Sequence, residues 1–161
     1  MAKIALCAGS FDPPTNGHLN IIERGTRLFD KVVVAVAVNS GKKTTFTAQE
    51  RVEMLKEIFK GRTDIEIDTF EDRLLVDYAR SKKAVVLLRG LRNITDYEYE
   101  LQMALANKKL AAEIDTIFMM TESQYSHLSS SLLKEIVFLG GSVDEMIHPL
   151  VEKKLKKKLK P

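Results

Sequence analysis

The 161-residue sequence predicts an α/β protein built on a doubly wound, five-stranded parallel sheet with helices on both faces. Three observations carry this reading. Five short apolar runs, rich in branched residues and without polar alternation, recur along the chain, as in strands covered on both faces. Segments with apolar residues at three- or four-residue spacing separate them. Strand-helix-strand order then calls for right-handed crossovers and parallel pairing.

The predicted strands are IALCA (4–8), VVVAVAV (32–38), IEI (65–67), AVVLL (84–88) and TIFMM (116–120). Leu19, Ile22 and Phe29 mark a first helix, Val52, Leu55 and Phe59 a second, and Tyr97, Leu101, Ala104 and Leu105 a long third. Capping boxes of the Ser/Thr-x-x-Glu kind predict helix starts at Thr47 with Glu50, Thr95 with Glu98, and Ser142 with Glu145. Ser129-Ser130-Ser131 can cap a further helix beginning LLKEI. Val151, Leu155 and Leu159 recur every four residues, so a lysine-rich amphipathic helix is expected at about 150–160. No repeat, linker or second domain interrupts the chain, which reads as one domain over 1–161.

Six of the 25 basic residues lie in 153–160, and without them acids outnumber bases by three. The basic balance is therefore local to a solvated helix face, and no nucleic-acid partner is expected. No apolar run reaches the roughly 18 residues of a membrane span, and MAKIALCAGS breaks before a signal-peptide core could form. We expect a cytoplasmic protein with no membrane partner. Cys7, the only cysteine, reads as a small buried hydrophobe; intrachain disulfides and a cysteine-based zinc site are excluded.

In a doubly wound sheet, chemistry is sought beyond the carboxyl ends of the strands. The first strand runs into GSFDPPTNGH (9–18), where Gly9 permits close backbone approach, the prolines stiffen the turn, and a helix begins near Asn16-Gly17-His18. Unpaired N–H groups at such a start suit an anion. The loop lacks both the Gly-Lys-Ser/Thr ending of a Walker motif and the G-x-G-x-x-G spacing, so positive charge must come from other strand ends. Lys42 and Lys43 follow the second strand, and Arg89 and Arg92 flank Gly90 after the fourth. Arg-Gly-x-Arg suits bidentate recognition of phosphate oxygens. The expectation is a cationic cup at the rim of the sheet.

The T-x-G-H segment ending at His18 resembles the signature of the nucleotidyltransferase superfamily. Together with RGLR, DYEYE and YSHLSSSLLKE, in that order, it makes the whole chain similar to the bacterial phosphopantetheine adenylyltransferase family. Three positions depart from the family pattern: Ala8 where proline is common, Pro14 where an aliphatic residue is usual, and His127 where phenylalanine is; none removes a polar group that the chemistry needs.

The resemblance implies a Rossmann-like nucleotidyltransferase fold. It also implies transfer of the adenylyl group of ATP, with Mg²⁺, to 4′-phosphopantetheine, giving dephospho-coenzyme A and pyrophosphate. Carried over by position, His18 is the transition-state stabiliser, and the chemistry expected below makes Lys42 and Arg92 catalytic residues beside it. Ser10, Phe11, His18, Gly90, Leu91, Arg92, Glu100 and the run Tyr125, Ser126, His127, Leu128, Ser129, Ser130, Ser131 bind ATP. Ser10, Lys42, Leu75 and Arg89 bind phosphopantetheine, and no protein side chain is assigned to a metal. A homohexamer and feedback inhibition by coenzyme A are implied in the same way.

The chemistry accounts for the absence of a Ser-His-Asp set or paired carboxylates. A phosphate monoester is already ionised and pyrophosphate leaves readily, so placement and charge stabilisation suffice. His18 and the helix start are expected to hold the α-phosphate, Lys42 to bridge nucleophile and α-phosphate, and Arg92 to grip the triphosphate. Glu100, a carboxylate near anions, is expected to accept from a ribose hydroxyl or to orient an arginine.

Overall fold

The computed structural model describes residues 2–159. Its strands β1 (Ile4–Gly9), β2 (Lys31–Val38), β3 (Ile65–Glu71), β4 (Val86–Leu91) and β5 (Asp115–Met120) form one parallel sheet in the order β3-β2-β1-β4-β5. Helices α1 (Asn16–Gly25), α2 (Ala48–Ile58), α3 (Leu75–Ser81), α4 (Ile94–Leu110), α5 (Ser130–Phe138) and α6 (Pro149–Leu159) complete the chain. The three central strands are buried on both faces, as unbroken valine and leucine runs require. Val32, Val34 and Val36 pack with Ile22 and Leu55 on one face; Val33 and Ala35 pack with Val76 and Leu87 on the other.

A third apolar cluster lies off the sheet. Phe46, Met54, Leu133, Val137, Val143, Ile147, Val151 and Leu155 join α2, α5 and α6. Val151 and Leu155 are fully buried there, so the lysine-rich helix is an integral wall with its charges outside. Its last expected residue, 160, lies outside the described residues.

Several boundaries differ from expectation. β4 continues through Arg89, Gly90 and Leu91, which pair with Phe118, Met119 and Met120, so Arg89 is a strand residue and not part of a following loop. Phe29 lies beyond α1, which ends at Gly25. The box at Thr47 and Glu50 forms in full. That at Thr95 does not: the Asn93 side chain accepts the Asp96 N–H at 2.8 Å and starts α4 two residues earlier. No helix starts at Ser142, because Glu145 has φ 63° and Val143 and Ile147 are drawn into the third cluster. The stripe expected to bury α4 is largely uncovered, with Tyr97 42% and Leu105 64% exposed. The unassigned segment around Leu75 forms α3, its Val76, Tyr78 and Ala79 buried.

Candidate active site

The strand order reverses direction between β1 and β4, and a cleft of about 350 Å³ opens at their carboxyl ends. Its walls come from five places: Gly9, Ser10 and Phe11 after β1, Thr15, Gly17 and His18 at the start of α1, Arg89 and Gly90 in β4, Arg92, Asp96 and Glu100 around the start of α4, and Leu128, Ser129 and Ser130 before α5. A Cβ on Gly90 would stand 2.9 Å from Ile21 Cγ1, so glycine there lets α1 lie close on the strand.

Thr15 and His18 build the centre of the site by a local rule. Thr15 caps α1, its hydroxyl accepting the His18 N–H at 3.3 Å, while its own N–H donates to His18 Nδ1 at 2.9 Å. This is a capping box with histidine in the place usually held by glutamate. Because Nδ1 accepts a backbone N–H, the ring proton sits on Nε2, leaving that atom as a donor. Burial, with the positive charges of Arg92 and Arg89 adding to it, lowers the pKa from 6.5 to about 4. At neutral pH His18 is therefore an uncharged donor. Asn16 N–H is taken by the Met146 carbonyl at 2.9 Å and His18 N–H by Thr15, so among the described residues Gly17 supplies the remaining N–H of that turn. The helix start thus offers fewer open donors than the sequence suggested.

Both arginines are held by carboxylates. Glu100 takes Arg89 Nε and Nη2 at 2.8 and 2.7 Å, while Nη1 donates to the Ala8 carbonyl. Burial disfavours the Arg89 charge, but the bidentate bond to Glu100 and its negative charge more than offset this and raise the pKa. Asp96 takes Arg92 Nε and Nη2 at 2.9 and 3.1 Å and also its backbone N–H, while Nη1 donates to the Leu128 carbonyl at 2.7 Å. Burial raises the Asp96 pKa, but the bonds from Arg92 outweigh it and hold the carboxyl below the usual range. The charged side chains lining the cleft therefore balance two against two, with a neutral His18. This corrects the expected cationic cup: each guanidinium has its own counter-charge.

The remaining expected site residues divide by position. Ser10, Phe11, Gly90, Glu100, Leu128, Ser129 and Ser130 line the cleft with His18, Arg89 and Arg92. Ser129 caps α5 by accepting the Leu132 N–H, and the Ser130 hydroxyl donates to the Pro13 carbonyl at 2.7 Å. Leu91 is buried beneath, while Tyr125 and Ser126, in and just after a short 3₁₀ turn, and exposed His127 and Ser131 stand outside the walls. Lys42 is exposed in the loop between β2 and α2 and is also not a wall residue. Leu75 instead lines a smaller adjoining cavity of about 90 Å³ with Leu87, Met103 and Asn107, and Arg89 and Glu100 border both spaces.

Asp96, within DYEYE, is a site residue beyond those expected from the sequence, although its i,i+4 spacing from Arg92 is an ion-pair signal. Thr15 was equally legible, once histidine is allowed at the third helical position. Cys7 lies at the cleft floor, where burial pushes its thiol up to about 11 and keeps it protonated, in keeping with a packing role.

A family model described as cytidylyltransferase-like matches residues 6–136. The chain is 49% identical over 158 residues to a phosphopantetheine adenylyltransferase of Caldanaerobacter subterraneus subsp. tengcongensis, covering 98% of each. It is 48% identical over 161 residues to one of Thermodesulfovibrio yellowstonii, covering 99% of each. Among solved structures, the nicotinic acid mononucleotide adenylyltransferase of Plasmodium falciparum, in complex with NaAD, superposes with a TM-score of 0.70 at 16% identity, over 98% of this chain and 96% of that one. A lipopolysaccharide core biosynthesis protein of Thermoplasma volcanium does so with 0.57 at 17% identity, over 75% and 98%. At those identities the two structures speak for the fold.

Proposed function

The chain belongs to the phosphopantetheine adenylyltransferase family, within the cytidylyltransferase-like group, and from that premise we propose the following reaction. It transfers the adenylyl group of ATP to 4′-phosphopantetheine, giving dephospho-coenzyme A and pyrophosphate, the penultimate step of coenzyme A synthesis. One observation carries the mechanism: a neutral imidazole, its tautomer set by Thr15, stands at a helix start in one cleft with two arginines and two strand-end glycines.

A phosphate oxygen of the acceptor attacks the α-phosphorus of ATP, the bond from that phosphorus to the β-bridging oxygen breaks, and pyrophosphate departs with the electron pair. His18 Nε2–H and the Gly17 N–H donate to the α-phosphate oxygens as charge grows there. Arg92 and the serines before α5 hold the triphosphate, and Arg89, pinned by Glu100, faces the acceptor phosphate. The smaller cavity past Arg89, with Leu75 and Met103 in its wall, suits the apolar pantetheine arm. Lys42 completes the charge by folding in from its loop when the anions bind. Two anions entering a cleft of balanced charge need such an added cation.

Mg²⁺ would come with ATP and would neutralise part of the triphosphate charge. No group of three or more His, Cys, Asp or Glu side chains that could cage a metal occurs among the described residues, and both cleft carboxylates are paired with arginines. A magnesium ion carried on phosphates with several waters suits such a site. We also propose a homohexamer, with the exposed apolar side chains of α4 (Ile94, Met103, Leu105) in contacts between copies, inhibition by coenzyme A at the active site, and a cytoplasmic location where ATP is at hand. No helix is long and apolar enough to cross a membrane among the described residues.

The test is pyrophosphate release from ATP, Mg²⁺ and 4′-phosphopantetheine, run beside a thermal-shift comparison with nicotinate mononucleotide. Pyrophosphate with the first acceptor and no stabilisation by the second is the expected result. Stabilisation by nicotinate mononucleotide alone would move the chain to another acceptor.

A further inference from the structure

The chain leaves the β1 ladder at Gly9, so the Ser10 carbonyl has no strand partner. Arg51, in the second turn of α2 and only 2% exposed, supplies one: Nη1 donates to it at 2.7 Å, while Nε donates to the Thr47 carbonyl at 3.3 Å. Taking a guanidinium out of water is costly, and an apolar side chain of similar volume would fill the same space but leave the two carbonyls without these donors. What the buried charge adds is a fixed position for that carbonyl.

Two residues on, Asp12 is 6% exposed and accepts the N–H groups of Thr45 and Phe46 at 2.9 and 2.8 Å. Lys134 of α5 reaches the same carboxylate at 3.4 Å, and its negative charge also favours the Arg51 guanidinium. Between these anchors Phe11 has φ 48°, a sparsely populated conformation for a side-chain-bearing residue. Its ring meets the His18 ring edge-on, with centroids 5.1 Å apart and planes at 65°. The same Asp12 carboxylate fixes the far end of the loop that carries Lys42.

We propose that Arg51 and Asp12, with Lys134, are positioning residues for adenylyl transfer: Arg51 sets the Phe11 wall against which His18 is aimed, and Asp12 ties the Lys42 loop to that wall. The inference rests on the reaction proposed above. It gives the donor-side and acceptor-side groups one shared anchor, so loosening the anchor disturbs alignment of the two phosphates more than the binding of either.

The test uses Arg51→Met, close in volume and uncharged, with Arg51→Lys beside it and Arg51→Ala assayed with added guanidinium. For Arg51→Met a fall in kcat of about tenfold to a hundredfold is expected, the scale of a small misplacement of reacting groups, with the KM for ATP changed less than about threefold. Added guanidinium should restore part of the Arg51→Ala rate. In Asp12→Asn the KM for the acceptor should rise more than that for ATP, since an NH₂ group replaces one of the two oxygens that accept the Thr45 and Phe46 N–H groups.

The second readout is the His18 and Phe11 ring signals in NMR of the ligand-free protein, which test the brace whatever the acceptor is. They should shift in Arg51→Met. A folded Arg51→Met with a wild-type kcat, or one that loses kcat while both ring signals stay in place, would overturn the inference. If Arg51→Met does not fold, Arg51→Lys, which keeps the charge and loses the fork, carries the same test.

Discussion

The His18 ring gives the sharpest quantitative test. Its pKa falls from 6.5 to about 4 on folding, so between those values the unfolded chain binds a proton that the folded chain does not. Stability therefore rises with pH through that window, is complete above about pH 6.5, and is lost progressively as pH falls toward 4. At about 1.36 kcal/mol per pKa unit the full span is worth about 3 kcal/mol, most of it lying between pH 7.5 and 4.5. The perturbation is His18→Ala, followed by urea unfolding at several pH values. Carboxylates with lowered pKa values, Asp96 among them, act in the same direction but are common to both proteins and cancel in the difference.

Wild type should thus lose about 2–3 kcal/mol more than His18→Ala on going from pH 7.5 to 4.5. Ring ¹⁵N NMR of the wild type should show the proton on Nε2 throughout and a titration midpoint near 4. The same substitution should lower kcat about 10²- to 10³-fold with little change in KM, as for loss of one preorganised donor. Parallel stability curves, a midpoint near 6.5, or a proton on Nδ1 would refute the reasoning.

Three further outcomes are expected. Glu100→Gln removes the charge that pins Arg89 and should raise the KM for 4′-phosphopantetheine roughly tenfold, the loss of about 1.4 kcal/mol typical of one charge-assisted contact; steady-state kinetics checks this. Gly90→Ala drives a methyl group into Ile21, 2.9 Å away, and should cost about 1–3 kcal/mol of stability through overpacking, measured by chemical unfolding. Leu155→Ala empties a fully buried position and should destabilise the protein by about 2–5 kcal/mol. An unchanged melting temperature there would show the lysine-rich helix to be a detachable arm.

Local physics wrote much of this protein into its sequence. Unbroken branched runs dictate strands buried on two faces, and their alternation with helical spacing dictates a parallel sheet, because only a crossover can join such strands. The loop from Gly9 to His18 announced itself by glycine and proline placement, and RGLR by its paired cations. These are properties of neighbours in the chain, so spacing reveals them.

Charge balance and burial were decided elsewhere. The cleft is neutral because Glu100, eleven residues from Arg89, and Asp96, beside Arg92, are brought against the guanidinium groups by one helix packed over the strand ends. Arg51 reaches the Ser10 carbonyl, and Asp12 the N–H groups of Thr45 and Phe46, across stretches of chain that no periodicity signals. The start of α4 lies at Asn93 and not Thr95 because the Asn93 side chain accepts the Asp96 N–H, and no box forms at Ser142 because two apolar residues have a core to reach. Local propensities are worth about 1 kcal/mol each, and burial of one large side chain outweighs that. So the chain order fixed which groups are present and which elements form, while packing decided which charges face one another and what state His18 is in.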